Sequence, residues 1–256
     1  MGATAGGRRR AKWEAFWRRR TRAAEATHRR SVEVALELLA GEQLVGRPTR
    51  VLDVGCGQGR VIELLEAAGY RVLGLDLASV ALGAARQRLG PTARLVQGDA
   101  FQLGLADGAF DVVISLGYAS VGSYPGVQAE LARVLRPDGV ALVDLRHVGL
   151  YHLPLLPRFG RRWLKAWRRG EALLPLLGFR PAPTWAAAGF RLEAVRLFNT
   201  HPPLGSWLPA EAYLTFERRI GRHLAPVLAR TGLAKLRRVD PEALVSRTAR
   251  IGPGVG

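Results

Sequence analysis

One cysteine, Cys56, and one methionine stand in 256 residues. A single cysteine excludes an internal disulfide framework and suits a reducing interior. No stretch reaches the ~18 apolar residues of a membrane span. The arginines near the start precede no apolar h-region, so a secretory signal is not expected. A cytoplasmic protein follows, with peripheral contact to a membrane left open. Lysine is almost missing, with only Lys12, Lys165 and Lys235. Acids are outnumbered 21 to 38, for a net charge of +17. No repeat period is evident.

The excess charge is unevenly placed. Residues 1–30 hold ten Lys/Arg against two acids, residues 158–180 seven against one, and residues 217–238 seven against one. Residues 51–157 hold eight against ten. The centre is near neutral and the decorations are basic. Such a distribution suits an anionic partner surface, whether phospholipid, nucleic acid or acidic substrate. A GC-rich coding bias toward arginine produces the same excess without any partner.

What is present is centred on Val51-Leu52-Asp53-Val54, read as a short buried strand. Gly55, Gly57 and Gly59 then turn the chain. Val61 to Ala68 has the spacing of an amphipathic helix and stops at Gly69. A second strand, Arg71 to Leu75, ends in Asp76. Strand, glycine turn, helix and acid-tipped strand form a nucleotide-binding unit. The glycines allow close backbone approach, and the helix start offers unpaired N–H groups. An ordinary βαβ turn with glycines for packing is the plain alternative.

A dinucleotide fingerprint spaces its glycines G-x-G-x-x-G. Here the third glycine comes one residue early, with Arg60 in its place, which disfavours a nicotinamide oxidoreductase. Asp53 would also repel a diphosphate, yet a ligand with an ammonium and a sulfonium tolerates it. Asp-x-Gly-x-Gly-x-Gly resembles motif I of the class I S-adenosylmethionine (SAM)-dependent methyltransferases, nearest the small-molecule type 11 domain. The 23 positions from Asp53 to Asp76 suit that family's second acid. Gly98-Asp99-Ala100 resembles its Gly-Asp-Ala turn, where the acid meets the adenine amino group. Asp107 to Leu116 resembles its fourth strand, Leu131 to Gly139 its next helix and turn, and Ala186 to Val195 its helix end and sixth strand.

The resemblance implies a Rossmann-like, mostly parallel seven-stranded α/β sheet with helices on both faces and an antiparallel last strand, to which the basic stretches add helical insertions. It implies SAM as cofactor and no metal. The implied donor-binding residues are Asp53, Gly55, Cys56, Gly57, Gly59, Asp76, Leu77, Asp99, Ala100 and Ser115. Cys56 is read as a small turn residue rather than a catalytic thiol.

The expected organisation is a disordered tail over 1–10, an N-terminal helical cap over 11–46, a methyltransferase domain over 47–250 and a tail over 251–256. The cap is helical from about Ala11 to Ala40, as one or two helices. Its 24–40 half is expected over the donor pocket; the 11–20 half is open between pocket, sheet and membrane surface. Strands are expected at Ala93–Gln97 and Val140–Leu145, around a turn at Arg136 to Gly139. Residues 147–185 and 199–240 are expected as substrate-side insertions, the second with a basic helix from Pro209 to Arg230, and Glu242 to Arg250 as the closing strand.

A sulfonium methyl is already activated, so the enzyme must align reactants and exclude water. A base is needed only for an acceptor that rests protonated. His147, His201 and Tyr118 are the candidates. The expected acceptor is a small molecule, hydrophobic or lipid-like, because Leu153–Leu156 and Leu173–Leu177 adjoin Arg-rich stretches that suit an anionic membrane face. RNA or protein methylation is the competing reading, although no RNA-binding module is recognisable. A non-catalytic SAM-binding protein is another.

Overall fold

The structure, a computed structural model, describes residues 5–19, 25–40, 42, 49–116, 124–146, 183–198, 210–221 and 231–239. Seven strands form one sheet: β1 (Arg50–Val54), β2 (Arg71–Asp76), β3 (Leu95–Gln97), β4 (Phe110–Ser115), β5 (Leu135–Arg146), β6 (Phe190–Phe198) and β7 (Thr231–Arg238). Their order is β3-β2-β1-β4-β5-β7-β6. β3, β2, β1, β4 and β5 run parallel; β7 is antiparallel to both β5 and β6. The expected sheet is therefore found.

The central strands carry continuous apolar runs because helices cover both faces. Every residue of β4 is buried. One face packs under α2 (Glu25–Leu39) and α3 (Arg60–Ala67), where Val32, Ala35, Leu39, Ile62 and Leu65 meet Val51, Val112, Ile114 and Leu142. Leu82 and Leu89 of α4 (Ser79–Leu89) lie at the edge of this layer. The other face packs under α5 (Pro125–Val134) and α6 (Pro183–Ala187), with Leu131, Val134, Trp185 and Phe190 against Leu52, Val113 and Ala141. The Trp185 and Phe190 rings meet edge to face at 5.3 Å.

Four expectations change. The closing strand is Thr231–Arg238, inside the stretch read as a second insertion. Leu233, Ala234 and Leu236 are buried, while Lys235 and Arg237 are held by Glu42 and Glu193. These basic residues, which made the stretch read as a solvated decoration, fasten the sheet to the segment after α2. Glu242–Arg250 lies outside the described residues, as do tail 251–256 and most of the 147–185 insertion. Within 199–240, α7 (Ala210–Phe216) and a π-helical turn (Glu217–Gly221) occupy the start of the expected basic helix.

The tail expected to be disordered over 1–10 is helical from Ala5 onward, in α1 (Ala5–Arg19). Arginine is a good helix former, and Arg9 gains an ion pair with Asp99. The half of the cap that lies against the glycine turn, the Asp99 turn and the start of α4 is α1. α2, expected over the pocket, is a core helix with Val32, Val34, Ala35, Leu38 and Leu39 buried. Its apolar spacing answers the sheet.

The turn at Arg136 to Gly139 falls within β5. Phe110 pairs with Leu135 and Val112 with Val140, so two positions on β4 face five on β5. Asp138 sits at the bulge with φ 58°, a conformation that acids tolerate better than most residues. Among the described residues no helix is long and apolar enough to cross a membrane.

Truncating Ile114, fully buried in β4, is expected to lower unfolding free energy by about 2–5 kcal/mol. Arg88→Ala, which breaks an exposed pair with Glu63 at 3.2 Å, should cost no more than about 1 kcal/mol. Urea denaturation of both variants checks the contrast.

Candidate donor site at the switch of strand order

The strand order reverses between β1 and β4, and open α/β sheets bind ligands at such a crevice. The glycine turn leaves β1 there. Gly55 and Cys56 both donate their N–H groups to the Leu75 carbonyl, at 2.7 and 3.0 Å, which ties the turn to the end of β2. Gly59 donates to Cys56 O at 3.0 Å and leads into α3. Gly57 has φ +54°, and a Cβ there would lie 2.6 Å from the Trp17 ring. Its lack of a side chain is thus needed twice, for conformation and for space.

Asp76 holds the turn from the other side. Its Oδ2 accepts the Gly57 N–H at 2.9 Å and its Oδ1 the Ala78 N–H at 2.8 Å. Each oxygen keeps accepting capacity, since an ionised carboxylate has about four lone-pair sites. Burial raises the Asp76 pKa, opposed by the N–H groups of Ala78, Gly57 and Leu77, while the charge of Glu14 raises it further.

Asp53 is more extreme. It is 1% exposed, and among the described residues its Oδ2 meets no hydrogen-bond donor. Burial, and then the neighbouring Asp76, push its pKa up to about 8. A buried carboxyl with an oxygen to spare, beside a glycine turn, is suited to receive a cation. The Cys56 thiol is buried, and burial pushes its pKa upward, with Asp53 and Asp76 adding to the shift. A thiol kept protonated is no nucleophile, as expected of a turn residue.

Gly98 donates to Asp76 O at 3.0 Å and sets the Asp99 turn next to the end of β2. Asp99 Oδ1 accepts the Phe101 N–H at 3.1 Å. Ala100 follows, partly buried, and Leu77 accepts from Gln97 Nε2 at 3.0 Å through its carbonyl. Ser115, 3% exposed, ends β4 opposite Val143. The ten residues implied for donor binding thus come to the C-terminal ends of β1, β2, β3 and β4 and the turns that follow them. Tyr118, His147 and His201 lie outside the described residues. Among the described residues no group of three His, Cys, Asp or Glu could hold a metal.

α1 contributes residues that no motif pointed to. Glu14 Oε1 accepts from Ser79 N–H at 2.7 Å and from its hydroxyl at 2.9 Å, and Oε2 from Val80 N–H at 3.3 Å. It caps α4, whose own N-cap, Ala78, has no side-chain acceptor to do so. Although burial opposes it, these bonds hold the Glu14 carboxyl below its ordinary range. Arg9 Nη2 donates to Asp99 Oδ2 at 2.6 Å. The one available signal was the spacing of Trp13, Phe16 and Trp17, which suits a core face equally well.

Comparison with known proteins gives consistent results. A family model described as a methyltransferase domain matches residues 51–139. A malonyl-[acyl-carrier protein] O-methyltransferase of Serratia marcescens is 35% identical over 174 residues, 65% of this chain and 64% of that protein. A demethylmenaquinone methyltransferase of Thermus thermophilus is 31% identical over 193 residues, 72% of this chain and 80% of that protein. A solved structure of the 1,6-didemethyltoxoflavin-N1-methyltransferase of Burkholderia thailandensis, with bound S-adenosylhomocysteine, matches 94% of this chain and 93% of its own. Its TM-score is 0.57 at 18% identity, a likeness of fold.

Because the folded pKa of Asp53 is raised, the folded state holds a proton that the unfolded chain releases near pH 4. Stability is therefore expected to fall as pH rises from about 4 to the folded value of about 8. Asp53→Asn should flatten that slope, leaving the part due to Asp76, and stabilise the free protein at pH 8. Thermal unfolding of both proteins across this range measures it; parallel curves would refute the assignment.

Proposed function

The chain belongs to the class I S-adenosylmethionine-dependent methyltransferases, and we propose that the Asp53–glycine turn–Asp76 cluster is where it holds its methyl donor. It is an enzyme, and its cofactor is SAM. The observation that carries the placement is Asp53, a buried carboxyl whose spare oxygen suits the ammonium of an amino-acid tail. Gly55, Cys56, Gly57 and Gly59 let that tail run against the backbone. Asp76 accepts the ribose hydroxyls, with Leu77 beside it. Asp99 accepts the adenine amino group, Ala100 flanks the ring, and Ser115 closes the floor.

The bound donor supplies a methyl group already activated on a sulfonium. The residues of this chain then need only to orient it toward an acceptor and exclude water, for direct in-line displacement. If the acceptor carries a hydroxyl or phenol, a base is required. His147, His201 and Tyr118 are the proposed candidates.

The proposed acceptor is a small molecule with a hydrophobic or lipid-like body. A relative named for demethylmenaquinone supports a small acceptor, as do the apolar clusters Leu153–Leu156 and Leu173–Leu177 in the sequence. Peripheral contact with an anionic membrane is part of this reading. Arg8, Arg10, Lys12 and Arg18 are exposed along α1 and supply some of the charge.

Calorimetric titration with SAM and S-adenosylhomocysteine tests the donor site. The wild type should bind both, and Asp76→Ala should bind at least about tenfold more weakly, or about 1.4 kcal/mol. No binding by the wild type would sink the assignment. Flotation with anionic vesicles at low salt should carry the protein upward; protein left at the bottom removes the membrane contact. A transfer screen of quinones, phenols, lipids and tRNA with labelled SAM should label one of the first three, whereas label on tRNA alone would overturn the acceptor class.

A further inference from the structure

α1 lies inside the donor site rather than beside it. Two of its side chains, Arg9 and Trp17, reach the positions that the donor is proposed to occupy. Arg9 Nη2 donates to Asp99 Oδ2 at 2.6 Å, and its guanidinium carbon stands 4.4 Å from the centre of the Phe101 ring. A guanidinium is flat and directs its N–H donors in its own plane. Laid over an aromatic ring and bonded at its edge to a carboxylate, it presents what an adenine presents through its ring face and exocyclic amine. At the other end, the Trp17 ring lies directly on Gly57, so closely that a methyl group there would collide with it. Between them, Glu14 ties α1 to the N-terminus of α4.

The span is also suitable. Arg9 and Trp17 are eight residues apart (17 − 9), about 12 Å along a helix axis. The helix therefore runs from the Asp99 turn to the glycine turn, the two ends of the donor site.

We propose that α1 is an internal pseudo-ligand: Arg9 takes the adenine position against Asp99 and Phe101, Trp17 takes the space over Gly57, and SAM binds only as α1 withdraws. This rests on the donor-site reading above. Withdrawal is made easy by the composition of α1. Its first turns carry Gly6, Gly7 and the run Arg8-Arg9-Arg10 with no acid in the first turn. Glycine disfavours a helix interior, and cations at an N-terminus oppose the helix dipole. Donor affinity is then reduced by the fraction of molecules in which α1 is withdrawn.

A helix that merely walls the bound donor predicts the opposite. If α1 competes, removing its contacts tightens binding; if it is a wall, removing them loosens it. The test is calorimetric titration of S-adenosylhomocysteine into the full chain as wild type, Arg9→Ala and Arg9→Ala/Trp17→Ala, beside hydrogen exchange of residues 5–19. The expected result is about fivefold or more tighter binding in Arg9→Ala, tighter still in the double variant, and faster exchange of wild-type α1 once ligand is added. Equal or weaker binding by Arg9→Ala, with α1 more protected by ligand, overturns the proposal and leaves the donor site standing. No binding by any of the three proteins overturns the donor-site reading on which it rests.

Discussion

Two carboxyl groups, Asp53 and Asp76, are buried close to each other at the ends of adjacent parallel strands, and the local structure is arranged around that strain. Burial disfavours the charged form of each; the charge of Asp76 disfavours it further in Asp53, and that of Glu14 in Asp76. Asp76 is relieved by N–H groups from the glycine turn and from the start of α4. Asp53 is left with an oxygen that no described donor reaches and a pKa near 8. A protein whose only concern was stability would place an apolar residue there. Retaining an acid at that depth makes sense where a cation is to be bound, and carboxyls perturbed in this way gather at functional sites.

The backbone around the pair is correspondingly constrained. The bonds from Gly55 and Cys56 to Leu75, and from Gly98 to Asp76, hold three turns at one depth. A Cβ on Gly74, which sits opposite Asp53, would run into Ile62, Leu95 and Cys56. The absence of a side chain there lets α3 and the glycine turn close onto the sheet. The positive charge of the chain also divides in two. Arg133 and Arg136 pair with Glu130 and Asp111, and Lys235 and Arg237 with Glu42 and Glu193. These are fasteners. Among the described residues, exposed cations of α1 such as Arg10, Lys12 and Arg18 face outward.

The strand–turn–helix–strand unit from β1 to β2 was legible because its signals are local. Asp53, the three glycines and Asp76 lie within one strand–turn–helix–strand unit, and their spacing departs from the dinucleotide fingerprint before any packing is known. The buried strands β1, β2 and β4 announce themselves as apolar runs. β7 was not legible, because Lys235, Arg237 and Arg238 look like solvated charge. Their partners, Glu42 and Glu193 for the first two and the Leu135 carbonyl for Arg238, are distant in the chain. That α2 rather than α1 packs on the sheet has the same origin. Both helices carry apolar residues at helical spacing, and nothing in that spacing says which one faces the sheet. What placed α1 is the contact set of Arg9, Glu14 and Trp17 with Asp99, Ser79 and Gly57, all across 40 or more residues.

The central claim is that Asp53, Asp76 and Asp99 form one donor-binding surface. A crystal structure with S-adenosylhomocysteine tests it most directly. The account predicts the ligand's amino group bonded to Asp53, its ribose hydroxyls to Asp76 and its adenine amine to Asp99, with Arg9 displaced. A ligand bound elsewhere, or one bound at the switch point that leaves Asp53 without a contact, would contradict it.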